Sequence, residues 1–290
     1  MLSTAAKPVV HFKQKKIRKR SRLNPLLPLF GLLWLLFSFY PVFYMLITSL
    51  RSQAGFLLGV PWLPSAHPTF ENYLTVLQND FQKYFLNSVI VSVVTVFLIV
   101  FVSVSSAYVI VRTKTKTVRF IFNVFLVGLA IPIQAAIIPI YVLIGKLGVY
   151  NTLLGLILPS VAFGIPLTVL ILVNFIRDIP NELYESMALE GITDFGMLKS
   201  LVIPLTKPAL MSVAIYNFVQ VWNNFLFPLV LTQTPDVRVM PLAVVSYQGE
   251  FTINVPVLLA AVVLSALPLI LAYVFGRRYL LKGLTAGFSK

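Results

Sequence analysis

Six stretches of the chain carry no Asp, Glu, Lys, Arg or His: residues 23–50, 84–111, 120–145, 147–176, 208–235 and 251–276. Each is 26 to 30 residues long, and a helix needs only about 20 residues to cross the hydrocarbon core of a bilayer. The pattern predicts six transmembrane helices. A seventh uncharged run, Ser52 to Phe70 apart from His67, is shorter and is interrupted by Pro61, Pro64 and Pro68. Proline removes a backbone donor and ends helices, so this run reads as part of a loop outside the bilayer.

Charge gives the spans a direction. With both termini on one side, the segments there are 1–22, 112–119, 177–207 and 277–290, and they hold 19 Lys and Arg. The other side holds only Arg51, Lys83, Lys146 and Arg238. Such asymmetry places the basic side in the cytoplasm, so both termini are expected inside. The expected layout is a basic N-terminus at 1–22, a first span at 23–50 and an extracytoplasmic loop at 51–83. A core of five spans follows at 84–276, then a cytoplasmic tail at 277–290. The first apolar run exceeds the 7–15 residues of a signal core. The same asymmetry accounts for a net charge of +14 without nucleic acid, since a basic run beside a span serves as a lipid-facing anchor.

Composition then removes whole classes of chemistry. The chain is 58% hydrophobic and 11% charged, against about 25% charged in soluble domains. It has no cysteine and only two histidines, His11 and His67, far apart in predicted loops. That leaves no thiolate chemistry and no His-based metal site. No G-x-x-x-x-G-K-[ST] loop is present to cradle phosphates, and no triad or carboxylate pair stands in a catalytic arrangement. The chain is expected not to be an enzyme, and any energy for uphill transport must come from a partner. Proton-coupled carriers keep ionisable groups inside the membrane, and these spans have none. A stand-alone secondary carrier or facilitator for a neutral solute is the competing reading, because Na⁺ can be held by carbonyls and hydroxyls alone.

The polar groups within the spans are amides. Gln134 lies in the third span; Asn217, Gln220 and Asn224 lie in the fifth, spaced i, i+3, i+7 on one helical face, with Trp222 beside them. Amides with a nearby ring suit a pathway for a hydroxyl-rich neutral solute. They serve equally as hydrogen bonds between helices.

One cytoplasmic segment differs from the rest. Five of the nine carboxylates, Asp178, Glu182, Glu185, Glu190 and Asp194, fall within seventeen residues. Pro180 suits a helix start, Glu182 and Glu185 favour its first turns, and Gly191 suits a left-handed helix end. Leu183 and Met187 share an apolar stripe, and Ser186 and Ala188 are small enough for close approach. Thr193 or Asp194 then caps a second short helix that ends around Pro204 and Pro208.

The order of residues there, "ESMALEGI" at 185–192 followed by "VIPLTKPAL" at 202–210, resembles the coupling loop of type I ABC importer permeases. Further blocks extend the likeness in order along the chain: "FLNSVIVS" (85–92), "SSAYVIVR" (105–112), "IPIYVLIGKLGVYNTLLGLILP" (138–159), "VWNNFLFPLVL" (221–231) and "GLTAGFSK" (283–290). Together they are similar to the carbohydrate-uptake, maltose-transporter-like branch. The resemblance implies an all-α integral membrane protein with the six-helix type I permease fold. It implies a second permease, two cytoplasmic ATPase subunits that hold ATP and Mg²⁺, and an extracytoplasmic sugar-binding protein, with no cofactor in this chain. By the same resemblance, Glu185, Ser186, Met187, Ala188, Glu190 and Gly191, within the coupling loop 178–208, meet the ATPase. Gly283, Thr285 and Gly287 of the tail are a second ATPase contact. Gln248, Gly249 and Glu250, in the loop 232–255, reach toward the binding protein.

Overall fold

The structure, a computed structural model, describes residues 26–246 and 253–286, without the side chains of Ser246 and residues 278–286. It is helical, with α1 Leu26–Ser49, α2 Gln53–Leu58, α3 Glu71–Gln78, α4 Phe81–Arg112, α5 Lys116–Gly128, α6 Ile133–Lys146 and α7 Leu153–Arg177. There follow α8 Asn181–Leu189, α9 Asp194–Met197, a π-helical stretch Leu198–Val202, α10 Ile203–Leu205, α11 Lys207–Trp222, α12 Leu226–Leu231, α13 Met240–Ser246 and α14 Val255–Ala286. The chain divides into two compact units, 1–43 and 44–290. The described part of the first is the apolar beginning of α1, with Pro41 inside the helix. All that follows concerns the second.

Four helices, α1, α4, α7 and α14, are long and apolar enough to cross a bilayer. The two other expected spans take a bent form. The third is split between α5 and α6, which meet at 108°, and the second bent pair joins Asp194–Leu205 to α11 at 79°. Pro132 explains the first break: it stands immediately before α6 in extended backbone and has no N–H to carry a helix through. Pro139, Pro159 and Pro166 lie inside α6 and α7, which continue past them. The fifth uncharged run, 208–235, is likewise not one helix. It ends as helix at Trp222 and resumes as α12 after Asn223, Asn224 and Phe225. Pro204 does not stop the second short helix, which runs on through Leu205, and Pro208 sits in the first turn of α11, where its missing donor costs nothing.

α4 and α7 form the central pair, with α11 packed on both, α14 on α11 and α5 along α7. Small side chains allow this close approach. Ser92, Thr95, Ser103 and Ala107 of α4 and Gly155, Ser160 and Thr168 of α7 are buried, the usual composition of membrane helix contacts. Outward-facing side chains such as Phe97, Phe101, Ile270 and Phe275 are exposed and apolar, as a lipid-facing surface requires.

The loop from 51 to 83 is folded rather than extended. Arg51 is buried and its Nη2 donates to the carbonyls of Val60 (2.7 Å) and Leu63. Asn72 donates from Nδ2 to the carbonyls of Ser49 and Arg51, at 2.8 and 2.7 Å. On the same end of the bundle, Asn87 Nδ2 reaches the Asp236 and Arg238 carbonyls, and Ser88 Oγ accepts from Met240 N–H. These bonds pin the segment after α12 onto the start of α4.

Candidate functional site

At the opposite end, α8 lies against the ends of α4 and α7 through one buried core. Ile179, Tyr184, Met197 and Val202 join Val104, Tyr108, Leu172, Val173 and Ile176 there. Tyr184 is the anchor. It is fully buried, its ring lies 6.4 Å from that of Tyr108, and the Arg112 guanidinium stands 4.2 Å above it. Arg112 also reaches Asn181 Oδ1 at 3.4 Å. Truncating such a buried aromatic costs about 3–5 kcal/mol. Burial pushes the Tyr184 phenol above its ordinary value, and the Arg112 charge opposes this, so the phenol stays neutral. Its hydroxyl is buried without a hydrogen-bond partner among the described residues. The second short helix is fastened in the same way: Thr193 accepts from Gly196 N–H at its start, and Tyr108 donates to Asp194 at 2.7 Å.

The end of α8 is defined by Gly191, whose φ is +75°. Its N–H bonds the Ala188 carbonyl and the next N–H, of Ile192, bonds that of Met187, both at 3.0 Å. This is the Schellman arrangement, which satisfies carbonyls a helix end leaves open. Met187 and Ile192, at the positions of its apolar clasp, each pack against the buried core. Met187 therefore faces its own chain rather than outward. Glu182, Glu185, Ser186, Ala188 and Glu190 are exposed, and with them Leu189 at 91% and Phe195 at 72%. Among the described residues no cation pairs with Asp178, Glu182, Glu185 or Glu190. The outer surface of α8 is thus an apolar tip ringed by unpaired acids, held on a rigid base. Spacing gives no sign of Leu189, Phe195 or the Tyr184–Arg112 anchor, because it does not tell which face a neighbour covers.

A cavity of about 220 Å³ opens between α7 and α11. Asn217, Gln220 and Asn224 all line it, together with Ser160, Tyr216 and the apolar Ile133, Phe163, Leu167, Val221 and Phe227. No charged side chain among the described residues does. The three amides differ in duty. Asn217 is buried and donates to Thr168 Oγ1 at 2.9 Å and to the Val213 carbonyl at 2.8 Å, so it ties α11 to α7. Asn224 lies beyond the end of α11, not on its helical face, and its Oδ1 accepts from Phe227 N–H to start α12. Gln220 is exposed and donates to Tyr216 Oη at 2.8 Å. Trp222 does not line this cavity. It is buried on the far side, stacked with Phe218, edge-on to Phe85, and donating to the Ser265 carbonyl. Gln134 is exposed at the start of α6 beside the lining residue Ile133, but is not itself a lining residue. Tyr216, Phe163 and Ser160 are the lining residues that the amide pattern alone does not point to.

Gly283 and Thr285 fall within α14, which continues as helix to Ala286, while Gly287, Gln248, Gly249 and Glu250 lie outside the described residues.

Comparison with known proteins agrees with this arrangement. The family described as "binding-protein-dependent transport system inner membrane component" matches residues 99–285. The diacetylchitobiose uptake system permease of Streptomyces coelicolor is 35% identical over 85% of this chain and 83% of its own length. The trehalose/maltose transport system permease of Thermococcus litoralis is 31% identical over 90% of this chain and 94% of its own. Among solved structures, a bacterial ABC transporter involved in the import of alginate shares the fold with a TM-score of 0.78, at 20% identity, covering 88% of this chain and 95% of that one. With its helix order and a family match across well over half its length, the chain belongs to the inner membrane components of binding-protein-dependent transport systems.

Proposed function

We propose that this chain is the membrane-spanning permease of an ATP-driven importer that carries a neutral sugar, an oligosaccharide, across the cytoplasmic membrane with both termini inside. The observation that carries the reading is α8: an exposed apolar tip among unpaired acids, fixed by Tyr184 to the ends of α4 and α7. Exposed apolar surface with a polar rim is what a protein-docking patch offers. The partner of this patch is an ATPase subunit that binds ATP and Mg²⁺. When two such subunits close on ATP, α8 moves with them, and Tyr184 passes the displacement to the two central helices. The switch requires only that the patch contact the open and closed ATPase pair differently.

The sugar assignment rests on the relatives, whose names specify diacetylchitobiose uptake and trehalose/maltose transport, and on the cavity. Amide, phenol and aromatic groups without charge suit a neutral polyol. The cavity's 220 Å³ falls short of the roughly 300–1,000 Å³ of small-molecule sites. It supplies one half of a pathway, and a second permease supplies the other. A loaded extracytoplasmic binding protein delivers the sugar to the open side.

The test is affinity purification of the complex from native membranes in mild detergent, with the co-purifying chains identified by mass spectrometry. An ATPase, a second six-span permease and a binding protein are expected. A chain that emerges alone, with uptake driven by an ion gradient, overturns the proposal in favour of a stand-alone carrier.

A further inference from the structure

A second cavity, of about 320 Å³, lies where the end of α4, the start of α5 and the end of α7 come together. Among the described residues three cations line it, Lys114, Arg119 and Arg177, and no acid does. Among the described residues none of the three is paired with a carboxylate; Asp178, next in sequence to Arg177, neither lines the cavity nor bonds its neighbour. Arg177 is held over the Phe122 ring, 5.9 Å from its centre, a contact that orients a guanidinium without neutralising it. The apolar part of the lining is Ile110, Val111, Val118 and Phe122. Beyond it, α5 exposes Phe120, Ile121, Val124 and Val127.

We propose that this cavity is a binding site for the phosphate headgroup of an anionic phospholipid. Three like charges around one hollow repel each other until an anion enters, and a phosphate accepts bidentate donors from arginine. A soluble anion would use only the cations. A lipid also uses the apolar part of the lining, Ile110, Val111, Val118 and Phe122, against which the start of an acyl chain packs while its phosphate sits where the helices leave the bilayer. Basic pockets between helix ends at a membrane surface are suited to such headgroups. The site is separate from α8 and from the cavity between α7 and α11, so it stands independently of the transport reading.

The experiment is native mass spectrometry of the full purified chain after incubation with an equimolar mixture of phosphatidylglycerol and phosphatidylcholine. The chain is expected to retain phosphatidylglycerol selectively. Arg119→Gln with Arg177→Gln should weaken retention by roughly thirtyfold, and each change alone by roughly fivefold, from about one charge-to-headgroup contact each. The single variants carry the test should the double variant fail to purify. A control with Lys199→Gln and Lys207→Gln removes equal charge from the same end of the bundle outside the cavity, and should retain the lipid normally. Equal retention by the chain and the arginine variants, or equal loss in the control, overturns the assignment in favour of diffuse surface charge. A third arm adds excess glycerol phosphate. Its failure to displace the lipid supports the proposal, and complete displacement overturns it in favour of a soluble phosphate.

Discussion

Gly191 separates what the chain does to itself from what it does to a partner. Its φ of +75° lies in the left-handed region, and an added Cβ would meet nothing within 4 Å. Substitution therefore carries a backbone cost alone, about 1–2 kcal/mol for a residue other than glycine. That cost is nearly the same for alanine as for arginine, because inside this chain the arginine side chain has open space. The two hydrogen bonds that close α8, from Gly191 and Ile192 N–H, are compatible with either. Gly191→Ala and Gly191→Arg should lower the thermal midpoint of the purified chain equally and insert into the membrane in equal amounts. Their transport should differ. Gly191→Ala retains most uptake, whereas Gly191→Arg puts a bulky cation on the outer edge of the patch and loses about tenfold or more, the equivalent of about 1.4 kcal/mol of lost contact. The assay pairs uptake of labelled sugar with recovery of the ATPase in a pull-down. Uptake by Gly191→Arg equal to that of Gly191→Ala would refute the docking role.

Three further outcomes follow from the packing. Tyr184→Phe should leave stability and uptake unchanged, since it removes a hydroxyl with no partner among the described residues, while Tyr184→Ala should lose about 3–5 kcal/mol of stability and uncouple uptake; denaturant titration and the uptake assay read the two. Gly164→Ala should destabilise by about 1–3 kcal/mol, because its Cβ would collide with Ile99 Cδ1 and lie 2.9 Å from Asn217 Oδ1. Adding Ile99→Val should recover part of that loss in a double-mutant cycle. The pH profile has a definite sign. The pKa of Lys83, hydrogen-bonded to Asp236, and that of Tyr184, buried, are both raised in the fold. What they contribute is complete below their ordinary values of about 10 and declines as pH rises through the raised ones. The thermal midpoint should therefore be flat through neutral pH and fall in alkali, by less in Tyr184→Phe.

How far the sequence reaches depends on the kind of interaction. α4 and α7 are continuous helices close to their uncharged runs, because span length is set by solvent and needs no tertiary information. Gly191 and Thr193 act as their residue types suggest, since caps are local. The sharp bend at Pro132 shows in sequence only as a proline, and Pro166 in α7 bends nothing comparable. Which proline breaks a helix is decided by neighbours that re-satisfy the backbone. The same limit applies to Trp222 and Met187. Spacing puts Trp222 beside the amides, yet Phe85, Phe218 and Ser265 draw it to the other side of α11. Met187 stands within the coupling-loop motif but turns inward to the buried core. Asn224 reaches the cavity only because α11 stops at Trp222 and the chain turns.

The most direct measurement is sugar uptake by proteoliposomes containing the purified complex, with ATP inside and the binding protein outside. Uptake should require both, and should vanish when Tyr184→Ala cuts the link between α8 and the central helices while ATP hydrolysis persists. Uptake that proceeds without ATP on an ion gradient alone would contradict the account.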